Sequence, residues 1–258
     1  MQRWPSCLVM MSRDTIARFD ATKEALEICR IDEEPDSSAP SLCTIVHLGF
    51  PPRASDAFIH HSSCIRESVP AFHDACSLAF EGRPPKHPPF HTPPDGGLVV
   101  VTISMGVRDT STSTNITIVT HLRSLVALVA TRPPGVAFIP WEDWGPRTTA
   151  CFEHQFSTRS DVIMGERFAT SLGGTVSLFD FNSTRIRDAI RRADNPSGRG
   201  MHPMMVKHRS AIPRGNIFKE DVVGELPYIS VVKPGFEDWG ILTNYEEGLA
   251  GLSWKVGG

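Results

Sequence analysis

The chain has 258 residues, 40% of them apolar and 8% aromatic, with a formal net charge of −3. That length and apolar share support a real hydrophobic core and exclude a chain disordered throughout. The slight acidic balance leaves no electrostatic footprint for nucleic acid or an anionic membrane. No run approaches the ~18 consecutive apolar residues of a membrane-crossing helix.

In chain order, residues 8–11, 15–19 and 25–31 alternate partially between apolar and polar and predict a small meander. Residues 32–41 form an acidic loop containing Pro and Ser, 42–48 a strand, and 57–65 a weaker strand. Residues 81–97 carry six prolines in 17 positions. Each proline lacks an N–H and restrains its neighbour, so this segment is expected to be a Pro-rich surface loop. The strongest strand signal follows. It comprises 98–103, a Ser/Thr-rich tip at 109–114, then strands at 115–122, 124–130 and 135–139. Residues 164–171 and 175–181 flank Gly173-Gly174 as a hairpin. Further strands are expected at 204–208 and 228–232, with a terminal hairpin from 239–244 and 249–256.

One amphipathic helix near 184–193 is predicted. Ser183 or Thr184 would cap it, and Ile186, Ala189, Ile190 and Ala193 form its apolar stripe. Arg185, Arg187, Arg191 and Arg192 lie on the other face, a solvated basic surface rather than a nucleic-acid footprint. A second short helix is expected at 219–226. Twenty glycines and 21 prolines agree with many short elements joined by turns.

Two phrases repeat. T-I-A-R-F-D (residues 15–20) and T-V-S-L-F-D (175–180) stand 160 residues apart, four steps of the roughly 40-residue period of propeller blades. E-D-W-G occurs at 142–145 and 237–240, with Trp144 and Trp239 as large apolar anchors. The expected fold is therefore all-β, a propeller-like array of short antiparallel sheets over 1–258, with an incomplete ring as the alternative.

The sharpest chemical cluster is His61-x-x-Cys64 followed by His73-x-x-Cys76, four ligands of the kind a tetrahedral zinc site accepts, with His60 to spare. No G-x-S-x-G aims a nucleophile. N-P-S-G-R-G-M at 195–201 lacks the Gly-Lys-Ser/Thr of a phosphate loop. No paired carboxylates are placed for acid–base work, so catalytic and cofactor residues are none. Six cysteines (Cys7, Cys29, Cys43, Cys64, Cys76, Cys151) have no framework spacing, which fits reduced thiols in the cytoplasm or nucleus. The sequons at Asn115 and Asn182 are accordingly expected to be unmodified.

P-W-E-D-W-G-P-R-T-T (140–149), E-R-F…L-F-D-F-N-S-T-R-I-R (166–187) and E-D-V-V-G-E-L-P-Y (220–228), in this order, resemble the C-terminal part of a large group of fungal F-box proteins. The K-H-P-P-F-H segment (86–91) is similar too, and Ser183 stands where the group has Pro. The resemblance implies a propeller-like domain acting as substrate receptor of a cullin-type ubiquitin ligase. No Leu-Pro-x-Glu-Leu/Ile phrase of an F-box is present, so docking on the ligase adaptor is expected only if an F-box is supplied elsewhere. The expectation is a non-enzymatic protein-interaction scaffold, with surface loops 81–97, 106–115 and 194–203 meeting an unknown protein partner. The alternatives are a small zinc protein or hydrolase using His61, Cys64, His73 and Cys76, or a truncated product without independent function.

Overall fold

A computed structural model describes residues 8–32, 41–66, 96–108, 110, 113–131, 138–154, 160–172, 175–194, 205–234, 239–245 and 248–253. Among the described residues the chain is mostly β, in several small, chiefly antiparallel sheets. The first sheet is a meander of β1 (Leu8–Met10), β2 (Thr15–Asp20), β3 (Ala25–Asp32) and β4 (Ser41–Gly49), with β8 (Phe138–Ile139) added parallel to β4. The second holds β5 (Ala57–Arg66), β6 (Leu98–Val107), β7 (Ser113–His121) and β9 (Thr149–His154). The third runs β10 (Ser160–Met164), β11 (Arg167–Leu172), β12 (Thr175–Asp180), β16 (Tyr228–Pro234) and β13 (Met205–Lys207). Two ribbons complete the described chain: β14 (Ser210–Ile212) with β15 (Val222–Gly224), and β17 (Trp239–Tyr245) with β18 (Gly248–Ser253).

Period-two alternation in the second sheet feeds two cores. Val99, Val101, Ile103 and Met105 of β6 and Ile116 and Ile118 of β7 pack with Val9, Ala17, Phe19, Leu26, Ile28, Val46 and Leu48 of the first sheet. The alternate residues Leu98, Val100 and Val119 pack with Phe168, Phe179, Phe181 and Tyr228, from the third sheet and the residue following β12. A strand buried on both faces needs apolar residues at nearly every position. That is why L-V-V-V-T-I reads as a run rather than an alternation.

Between β7 and β9 the chain leaves the second sheet, forms α1 (Leu122–Ala130), lends β8 to the first sheet, forms α2 (Trp141–Thr148) and returns. Trp144, 2% exposed, donates its indole N–H to Gly49 O at 2.9 Å, tying α2 to the end of β4. The 210–226 stretch is a second tie. Lys219 N–H donates to Pro52 O, Glu225 N–H to Pro146 O, and Leu226 N–H to Thr149 O. At Gly224 a Cβ would stand 2.4 Å from Thr149 O, so only glycine lets β15 approach β9 this closely.

Several expectations need correction. Residues 124–130 are helical in α1: Leu122 and Leu125, one turn apart, are buried, whereas Val126 is 37% exposed. Residues 219–226 are not a helix, because Val222–Gly224 pairs with β14. The helix near 184–193 is present as α3 (Ser183–Asp194), but Asn182 caps it. Its Oδ1 accepts the N–H groups of Thr184 and Arg185, both at 3.1 Å. The described helices therefore number three rather than one convincing helix.

The repeated phrase has a local origin. Its copies are β2, second strand of the first sheet, and β12, third strand of the third sheet, so the positions are not equivalent and lie two sheets apart. What they share is the ending: a buried Phe (Phe19, Phe179) and then an Asp whose Oδ1 accepts the N–H two residues on (Thr22 at 2.9 Å, Asn182 at 3.0 Å). The E-D-W-G copies differ also, since 142–145 lie in α2 whereas Trp239-Gly240 open β17. The tip at 109–114 is shortened, because β7 already begins at Ser113. Residues 33–40, 81–95 and 195–203 lie outside the described residues. Among the described residues no helix is long and apolar enough to cross a membrane.

The second core contains one avoidable cost. Thr102 and Thr117 stand opposite each other on β6 and β7, and both Oγ1 atoms are buried without a hydrogen-bond partner. An unmade buried hydroxyl bond costs about 1–3 kcal/mol. Thr117→Val is therefore expected to raise stability by about 1 kcal/mol in urea unfolding; a loss of similar size would show that the hydroxyl is satisfied.

Candidate functional site

Two polar clusters interrupt the apolar packing. The first lies on the face of the first sheet away from the shared core. Register aligns Arg18, Glu27 and His47 across β2, β3 and β4. Asp20 ends β2, and its Oδ1 accepts Thr22 and Lys23 N–H groups, folding the 21–24 turn so that Lys23 reaches back over the sheet. Glu24 closes that turn at φ 49° and pairs with Arg53 at 2.5 Å. Left-handed backbone is uncommon outside Gly, Asn and Asp, so this tight turn carries some strain.

His47 and Glu27 are each 4% exposed. His47 Nε2 lies 3.5 Å from Glu27 Oε1, 3.6 Å from Asp20 Oδ2 and 3.0 Å from Lys23 Nζ. An ammonium can only donate. Nε2 is therefore the acceptor in its contact with Lys23. Arg18 Nε donates to Glu27 Oε2 at 2.5 Å, and Thr44 Oγ1 donates to Oε1 at 2.6 Å. Burial works to raise the Glu27 pKa, but these donors and the Arg18 charge outweigh it and hold the carboxyl below its ordinary value. Among the described residues, Asp20, Glu27 and His47 form a group of three potential metal donors within 4.8 Å of one another.

The second cluster joins the end of β7 to the third sheet. Glu166 Oε1 receives Arg123 Nη1 at 2.8 Å, and its Oε2 receives Asn182 Nδ2 at 2.8 Å. Asp180 Oδ2 sits between Arg167 (3.3 Å) and Arg185 (3.2 Å). Burial pushes the Asp180 pKa up, partly opposed by the Asn182 N–H and by Arg167. His121, 5% exposed, has Nδ1 3.4 Å from Glu166 Oε1, but the atoms are not aligned for a hydrogen bond. Burial, then the Arg123 charge, push its pKa down to about 4, against a hydrogen bond to the Phe181 backbone. Glu166 does not reverse this, because its charge is already engaged by Arg123 and Asn182.

The three phrases of the second half meet in pairs: 220–228 bonds to 140–149 through Glu225 and Leu226, and packs on 166–187 through Leu226 and Tyr228. Residues 140–149 supply α2 and Trp144, 166–187 supply Glu166, Phe179, Asp180 and the Asn182 cap, and 220–228 supply Gly224, Leu226 and Tyr228. Their local roles are packing and capping. Trp141 and Trp144 stack edge-on at 5.2 Å, and Trp141 lies so close over Gly145 that a Cβ would come within 2.3 Å of its ring.

Of the expected His/Cys set, positions 61 and 64 lie three residues apart on β5, opposite Ser104 and Val101, hence on alternate faces of the sheet. His73 and Cys76 lie outside the described residues. On α3, Arg185 pairs with Asp180, Arg191 with Asp188 at 3.8 Å, and Arg187 folds back onto Ser183 O and Thr184. Cys29, Cys43 and Cys151 are free thiols, and burial pushes Cys151 up to about 12, which makes it a poor nucleophile. The acid–His cluster on the first sheet escaped the sequence because its members look like ordinary polar positions of alternating strands. The usable signal was hairpin register, which sets Arg18 against Glu27 once the 21–24 turn is placed.

No protein-family model, curated protein or solved structure matches the chain.

Stability should fall in acid through His121. Its folded pKa lies below the unfolded value of about 6.5, so the unfolded chain binds the extra proton. Stability is lost as pH drops from about 6.5 to about 4, by roughly 3 kcal/mol, and no further below. Urea midpoints measured across this window should show that slope in the native chain and lose most of it in His121→Gln; equal slopes would contradict the assignment.

Proposed function

We propose that the chain is a non-enzymatic protein-interaction scaffold with a propeller-like arrangement of sheets, similar in role to the substrate-receptor part of fungal F-box proteins. Support for the propeller-like arrangement comes from consecutive antiparallel sheets packing face to face in chain order. The observation that carries the functional reading is where exposed apolar side chains fall. Leu8 (51%) and Met10 (43%) lie on the edge strand β1, Phe138 (49%) on β8, and Met205 (55%) on the edge strand β13. Exposed apolar residues on sheet edges are costly unless a partner covers them.

A rigid stack holding a partner by its edges would raise that partner's local concentration beside a conjugating enzyme without performing chemistry itself. The thiol states of Cys29, Cys43 and Cys151 favour a reducing compartment, cytoplasm or nucleus. Ligase recruitment then needs an F-box supplied elsewhere.

Fusing an F-box to the chain in cells tests this. Ubiquitylated proteins should appear that are absent with the F-box alone, and Met10→Lys with Met205→Lys should reduce their yield about tenfold, roughly 1.4 kcal/mol of binding. A pattern identical to the F-box alone would overturn the scaffold reading. Adaptor capture by the chain without any added F-box would overturn the requirement for one.

A further inference from the structure

We propose that Asp20, Glu27 and His47 form a site for a divalent transition ion, zinc being the best fit, in which the Lys23 ammonium is an exchangeable internal cation.

Three features carry this beyond a group of acidic residues. The imidazole already faces a cation: its Nε2 stands 3.0 Å from Lys23 Nζ, and an ammonium can only donate, so Nε2 is the acceptor. The spacing suits a small ion. Zinc ligands at ~2.1 Å in a tetrahedron stand about 3.4 Å apart, and His47 Nε2 lies 3.5 Å and 3.6 Å from the Glu27 and Asp20 oxygens. A supporting group is also in place, since Arg18 holds the far oxygen, Oε2, of the Glu27 carboxylate while Thr44 orients the near one, Oε1, as outer-shell partners of metal ligands do.

The chemistry of the donors selects the ion. One imidazole with two carboxylates suits zinc and its transition-metal neighbours better than magnesium or calcium, which take oxygen alone. Two carboxylates offset most of the charge of the ion and of Arg18, and Asp20, whose side chain is 21% exposed, leaves solvent access for a water as fourth ligand. Lys23 is exposed and sits in the 21–24 turn, so its ammonium can leave for water without disturbing the strands. Ion and lysine compete for one position. Metal affinity is therefore set by how strongly residue 23 holds it.

The test is zinc titration of the purified chain by calorimetry, repeated with cobalt and its visible absorption. The native chain should bind one ion, Lys23→Ala should bind about tenfold tighter, and Lys23→Arg should not. Glu27→Gln and His47→Gln should lose binding. Because those two residues are buried and their variants can unfold, the Lys23 pair decides independently, as residue 23 is exposed and supplies no ligand atom. Equal zinc affinity in Lys23→Ala, Lys23→Arg and the native chain would overturn the proposal. So would an absence of binding in all three, or an unchanged cobalt spectrum in a folded His47→Gln.

Discussion

Burial of β6 and β7 on both faces is the constraint on which the other contacts depend. The first sheet packs on one face of these strands and the third sheet on the other. Among the described residues, both core clusters draw on this sheet. Backbone groups at the centre of such a stack have no water to bond, so the ladders among β5, β6, β7 and β9 must satisfy them. The excursion from β7 through α1, β8 and α2 to β9 then fastens the first sheet to the second, with the Trp144 to Gly49 bond at its far end.

Among the described residues, the buried charged groups lie where the stack ends or turns. Glu166 and Asp180 lie at the junction of the second and third sheets, each facing arginine, and Asn182 links them while capping α3. Glu27 and His47 lie on the outer face of the first sheet with Arg18, Lys23 and Asp20 around them. Breaking one partner of such a buried group leaves the other unpaired, which costs more than forming the pair contributes. Both clusters therefore fix register as well as charge. Arg18 opposite Glu27 opposite His47 is satisfied in one alignment of β2, β3 and β4 and not in a slipped one.

Much of the strand order was legible in the sequence, because alternation and turn residues act locally. The meander at 8–31, the run at 98–103, the hairpin around 173–174 and the terminal hairpin all reappear as strands. The misreadings share a physical cause. S-L-V-A-L-V-A has no clear period, and its β-branched residues favour a strand, but Leu122 and Leu125 meet the core only one helical turn apart, so α1 forms. W-E-D-W-G-P contains Gly and Pro, yet α2 forms because Trp141 and Trp144 are buried and Gly145 admits the Trp141 ring. Val222–Gly224 becomes a strand by pairing with β14, a partner that no local propensity records. The acid–His cluster was hidden for a related reason: its residues are brought together by register between three strands, and by a lysine folding back from a turn.

Residue-level hydrogen exchange of the whole chain tests the double-buried sheet most directly. Amides of β6 and β7 should exchange last, only through global unfolding, while those of the edge strands β1 and β13 exchange earlier by local opening. Exchange in β6 and β7 as fast as in β1 would contradict a fold built around the second sheet.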